Sequence, residues 1–145
     1  MTSISSSKPP FWYWIVCAIA LIWNGMGVMQ YLGQAYNTDA FRGQYTTEQL
    51  ELLADTPAWV TAAFALAVFA GVTGALALLL RKKLAYHLLL ISLLAVMAQM
   101  VYNLFIIDSI AIYGPGAATM TAMVILFAIL LLWFSKKAIA KGWIS

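Results

Sequence analysis

The chain has 145 residues, 64% of them hydrophobic and only 9% charged. A soluble domain is about 25% charged, so this is one domain dissolved in lipid rather than water. The net charge of +3 does not point to nucleic acid, because the basic residues are grouped at a few chain positions rather than spread over a groove-sized surface.

Lys8 precedes a first apolar span at about 11–32. The stretch "LIWNGMGVMQYLGQAYN", from Leu21, carries Asn24, Gln30 and Gln34 among glycines. An amide inside an apolar span is costly unless something satisfies it. At 100° per residue, Tyr13, Cys17, Ala20, Asn24, Gly27 and Tyr31 share one side of a helix, and Gln30 lies off that side. Cys17, the one cysteine, makes neither an internal disulfide nor a CxxC redox centre and reads as a packing residue. Gly33-Gln34-Ala35 resembles a signal-cleavage site. The apolar run nevertheless exceeds the roughly 7–15 residues of a signal core, so a retained span is expected.

A polar loop follows, from about 34 to 56. Thr46 and Gln49 stand at capping-box spacing, with Leu50, Leu53 and Ala54 on one face and Glu48 and Glu51 on another. This predicts a short amphipathic helix on the membrane surface. Asp55-Thr56-Pro57 then offers a cap ahead of a proline for a second span at about 57–80. In that span Ala63, Ala67, Gly71 and Ala75 recur every fourth position, flanked by Ala70 and Gly74. Such a seam lets helices approach closely in lipid, either within the bundle or across a dimer.

Arg81, Lys82 and Lys83 lead into a third span at about 84–107, where Ser92, Gln99, Tyr102 and Asn103 share one side. His87 has no partner histidine, which speaks against a metal or haem site. Gly114-Pro115-Gly116 precedes a fourth span at about 118–134, and Lys136, Lys137 and Lys141 follow it. The expected architecture is all-α: a four-helix transmembrane bundle with a short surface helix in the first outer loop. All basic residues but Arg42 lie on one side, and Asp39, Glu48, Glu51, Asp55 and Asp108 on the other. The positive-inside rule then makes both termini cytoplasmic. Phe11, Trp12, Tyr13, Trp14, Trp133 and Trp143 are expected to form an inner aromatic belt, and Tyr31, Tyr36 and Trp59 an outer one.

Depth brings two amides together. Asn24 lies roughly 20 Å along span one from Phe11, and Gln99 roughly 22 Å along span three from Leu84. Their stripes are expected to face each other or a shared cavity, with Thr61 and Thr121 at its mouth. On one reading Asn24 and Gln99 bond across helices as glue. On the other, Asn24, Tyr31, Gln99, Tyr102 and Asn103 line an outward-facing pocket for a small neutral solute, because amides and hydroxyls both donate and accept. No charged residue lies deep in a span, as a proton- or ion-coupled pump usually needs. No nucleophile–base pair, phosphate loop or metal-ligand cluster is visible, so neither an enzyme nor a cofactor or metal is expected. Membrane lipid is the expected partner, with a homo-oligomer and a neutral solute also open. A structural or accessory subunit without a ligand is the alternative.

The stretches "IWNGMGVMQYLGQAY", "TPAWVTAAFALAVFAGVTGALALLLRKK" and "ISLLAVMAQMVYN" resemble small four-span bacterial inner-membrane proteins, DoxX-like in layout. Such proteins are sometimes labelled sugar transporters by inference. The resemblance implies a multi-pass protein of the bacterial inner membrane and a transporter role. It carries no functional motif onto individual residues.

Overall fold

The computed structural model describes residues 8–145. Among these, every regular element is helical: α1 (Phe11–Tyr36), α2 (Asp39–Arg42), α3 (Thr47–Ala54), α4 (Ala58–Leu79), α5 (Leu84–Val101), α6 (Ser109–Tyr113) and α7 (Pro115–Ala140). A π-helical turn, Tyr102–Ile106, prolongs α5. Four of these helices are long and apolar enough to cross a membrane: Phe11–Tyr36, Ala58–Leu79, Leu84–Ile106 and Pro115–Ala140. The protein is an all-α bundle and a small multi-pass membrane protein.

The helix ends depart from the hydropathy boundaries. α1 runs on to Tyr36, and Asn37 ends it in the left-handed conformation at φ 52°. Thr38 then donates its N–H back to the Gly33 carbonyl at 3.1 Å. α7 begins earlier than its apolar run and continues through Lys136 and Lys137, because a charge at the membrane surface does not stop a helix. It ends where Trp143 N–H returns to the Ala138 carbonyl at 2.9 Å, a Schellman closure. α3 has the expected capping box, Thr46 and Gln49 each taking the other's backbone N–H. The expected cap on α4 is absent. Pro57 itself occupies the N-cap, without a side-chain bond. Thr56 is still closing the turn out of α3, its N–H on the Leu53 carbonyl at 3.2 Å.

α4 packs against α5 and α1, and α5 against α7, so the spans form an arc in the order α1, α4, α5, α7. In lipid no hydrophobic force drives helices together, and close packing must do so. The small stripe of α4 supplies it: Ala67, Gly71 and Ala75 are buried inside the chain, and Ala63 is half-buried. The ends of the arc, α1 and α7, meet through rings. Trp12 and Tyr13 pack on Phe134, and Trp23 stacks on Phe127 at 4.5 Å.

The end that carries the basic residues is filled. Tyr13, Cys17, Ala20, Ala75, Leu78, Ala85, Leu131, Phe134 and Ala138 form one buried cluster. The Tyr13 hydroxyl donates to the Leu78 carbonyl. Residues 143–145 fold back over it. Ser145 N–H reaches the Arg81 carbonyl at 3.1 Å, and Arg81 Nε donates to the Trp143 carbonyl at 2.8 Å. Trp143 is thus buried against Trp12 and Tyr13 rather than standing in a surface belt.

Candidate functional site

The opposite half of the bundle is hollow. A cavity of about 520 Å³ is lined by all four spans and by the loop between α1 and α4. That volume lies in the range of small-ligand pockets. Its deep walls are largely apolar, with Leu89, Val96, Phe127, Ala128 and Leu131 beside Asn24 and Ser92. Toward the other end it is lined by Gln30, Gln34, Gln44, Tyr45, Thr56 and Tyr113. No charged side chain lines it among the described residues.

Asn24 stands at the edge of this cavity. Its Nδ2 donates to the Ala20 carbonyl one turn back, at 2.8 Å. Its Oδ1 lies over Gly71 of α4, where a Cβ would come within 2.0 Å of it. Ser92 of α5 closes the same notch, its Oγ bonded to the Ala67 carbonyl at 2.7 Å. Gly71 therefore lets three helices converge on one polar point. Asn24 and Gln99 line one cavity but do not bond each other; Gln99 is half-buried and makes no side-chain hydrogen bond among the described residues.

Tyr102 and Asn103 line the cavity from the π-helical turn. The turn's i→i−5 bond, Ile107 N–H to the Tyr102 carbonyl at 3.1 Å, is the rare geometry often met at functional sites. Among the described residues Asn103 Nδ2 meets the Met100 sulfur, at 3.7 Å. Thr61 and Thr121 line the cavity as well.

Tyr31 does not line it. Its ring packs edge-on against Phe64 and Phe69 of α4. The side of α1 with Tyr13, Cys17, Ala20, Asn24, Gly27 and Tyr31 is the seam against α4; a Cβ on Gly27 would stand 2.9 Å from Val68 Cγ1. The cavity face is rotated from it by roughly 80–100° and carries Trp23, Gln30 and Gln34. Gln30, off the expected stripe, is thus a cavity residue, its Nε2 on the Tyr45 hydroxyl at 2.8 Å. The spacing 23, 27, 30, 34 is itself a helical stripe and was the available signal. Gln44, Tyr45 and Tyr113 carry no such periodicity.

The short helix α3 roofs the cavity, with Leu52 and Leu53 on its lining, instead of only resting on a membrane surface. Gln49 Nε2 ties it to the Ile112 carbonyl at 3.3 Å. Burial raises the Tyr45 hydroxyl's pKa above its usual value, and the Gln30 bond lowers it by less. Tyr113 is raised too, by burial and then by Tyr45 and Tyr102 nearby.

Comparison with protein-family models, with curated proteins and with solved structures yields no match. Among the described residues no group of His, Cys, Asp or Glu is placed to hold a metal. The arrangement offers uncharged donors and acceptors around a largely apolar hollow.

Proposed function

We propose that this chain binds a small neutral ligand rich in hydroxyl or amide groups, without chemical change to it. The observation that carries this reading is Gln99. Among the described residues it is a half-buried amide without a side-chain hydrogen bond, on the wall of a cavity without charges, so both its donor and its acceptor capacity are unspent there. Asn103, Gln34 and Gln44 add the same chemistry around it. An ion would find no counter-charge on the lining, and a coupled pump's deep acid is missing from the sequence. A sugar, the ligand implied by a DoxX-like layout, shares that hydrogen-bonding chemistry. The ligand-free accessory subunit calls for a tightly filled bundle, and the hollow half of this one favours binding instead.

The reading includes an orientation. With the basic end cytoplasmic, the filled cluster under Trp143 closes the inner side and the cavity faces out, as in a bacterial inner-membrane protein with both termini inside. Native mass spectrometry of the full chain released from detergent tests the binding. We expect an uncharged, hydroxylated adduct on the wild type that Gln99→Leu loses while keeping its thermal stability. A bare chain in both, or an adduct held equally by both, would overturn the proposal.

A further inference from the structure

The cavity is open sideways as well as at its polar end. Three seams of the bundle are held by close helix packing, whereas α1 and α7 meet at the fourth through side chains, aromatic rings prominent among them. The Trp23–Phe127 stack closes it roughly 20 Å along α1 from Tyr36 and roughly 18 Å along α7 from Pro115. Beyond that stack, Met26 of α1 and Met120 of α7 both line the cavity, yet they are 61% and 55% exposed. They lie roughly 15 Å and 8 Å inside those same helix ends, at the depth of acyl chains. A cavity wall exposed at that depth is exposed to lipid. Methionine is also the side chain that yields most easily, being unbranched and flexible.

The polarity of the cavity is ordered along the same axis. Its deep wall beneath the gap is apolar but for Asn24 and Ser92, whose donors go to the Ala20 and Ala67 carbonyls, and most of its amides and hydroxyls lie toward α3. A water-soluble polyol would waste the deep wall, and a hydrocarbon would strand the amides. A charged head group would find no counter-ion on the lining.

We infer that the ligand is a membrane-dissolved amphiphile with an uncharged polyol head on an apolar chain, and that it enters between Met26 and Met120 from the bilayer. The head takes the hydrogen bonds of Gln99 and its neighbours, and the chain lies on the deep wall. This rests on the cavity being a ligand site, and it names the ligand's class and route.

The test uses the full chain in phosphatidylcholine vesicles with a trace of monoacylglycerol carrying a diazirine in its acyl chain. A matched diazirine phosphatidylcholine serves as the bulk-lipid probe. After photolysis, peptides are mapped by mass spectrometry. We expect monoacylglycerol to label the segments around Met26 and Met120 about tenfold more than the phospholipid does, a difference of about 1.4 kcal/mol in occupancy. Excess unlabelled monoacylglycerol should suppress this labelling, and glucose or glycerol should not. The pair Met26→Trp and Met120→Trp, which narrows the gap, should abolish it while leaving phospholipid labelling of the exposed Phe105 unchanged.

Equal labelling by the two probes would mean ordinary lipid contact and would refute the inference. Suppression by glucose but not by monoacylglycerol would refute entry from the membrane and keep the cavity reading. Specific labelling untouched by Gln99→Leu would instead remove the reading on which the inference rests. The competition arm uses the wild type alone, so it decides even if the tryptophan pair does not fold.

Discussion

Gly71→Ala tests how the three central helices meet. The added methyl would stand 2.0 Å from Asn24 Oδ1, 2.8 Å from its Cγ and 3.3 Å from Ser92 Oγ. None of these atoms belongs to a backbone, so Asn24 can swing away, but it then gives up its bond to the Ala20 carbonyl. Overpacking of this kind costs about 1–3 kcal/mol. The intrinsic helix preference of Ala over Gly offsets about 0.5–1 kcal/mol of that. We therefore expect a net loss of about 1–2 kcal/mol. In an Asn24→Ala background the obstruction is gone and the preference remains, so the same change should be neutral or stabilising by up to about 1 kcal/mol. The coupling between the two positions should be about 2 kcal/mol, within the range for residues in contact. Reversible unfolding by sodium dodecyl sulfate in mixed micelles, followed by tryptophan fluorescence, reads all four corners of the cycle. An equal cost for Gly71→Ala in both backgrounds would show that the Asn24 carboxamide does not lie in the Gly71 notch.

Two further predictions concern the ends of the bundle. Cysteines placed at Gln44 and at Lys137 should react oppositely with an impermeant thiol reagent on whole cells, Gln44 labelled and Lys137 protected; the native Cys17 is fully buried, and the reverse pattern would invert the proposed orientation. Because burial raises the Tyr45 pKa in the folded state, the unfolded chain releases that proton first as pH climbs past about 10. The contribution of Tyr45 to stability is whole below that pH and falls above it. Amide-exchange protection of α3 should therefore drop above about pH 10 in the wild type and less in Tyr45→Phe; identical profiles would contradict the burial of the hydroxyl.

Much of the fold was legible because lipid imposes it. Every backbone polar group in a bilayer must be paired within the segment, so apolar length alone locates the helices. The capping box of α3 and the small stripe of α4 were legible for similar reasons: both are local patterns with a fixed period. The cavity was only half legible. A 100° projection of α1 finds a face unlike the lipid-facing one, but it does not say what that face meets. In the structure the face of Tyr13, Cys17 and Tyr31 meets another helix, and the hollow lies on the next face round, with Trp23, Gln30 and Gln34. The Gln30–Tyr45 bond joins a span to a loop, and no periodicity announces such a contact. The burial of Trp143 likewise depends on a chain segment turning back on itself, which composition does not encode.

The amides of this protein differ in what they have left to give. Asn24 spends its donor on the helix it belongs to and sets its carbonyl into a notch that only glycine leaves open. Gln30 spends its donor on Tyr45 and so holds the loop to α1. Gln99 spends nothing on the described protein, although it lines the same cavity from a helix running the same way. A polar group left unsatisfied costs up to about 1–3 kcal/mol when fully buried, and less for the half-buried Gln99. That cost is recovered when a ligand or water completes the bond. Substitution at Asn24 should thus register first in stability, and substitution at Gln99 first in what the cavity holds.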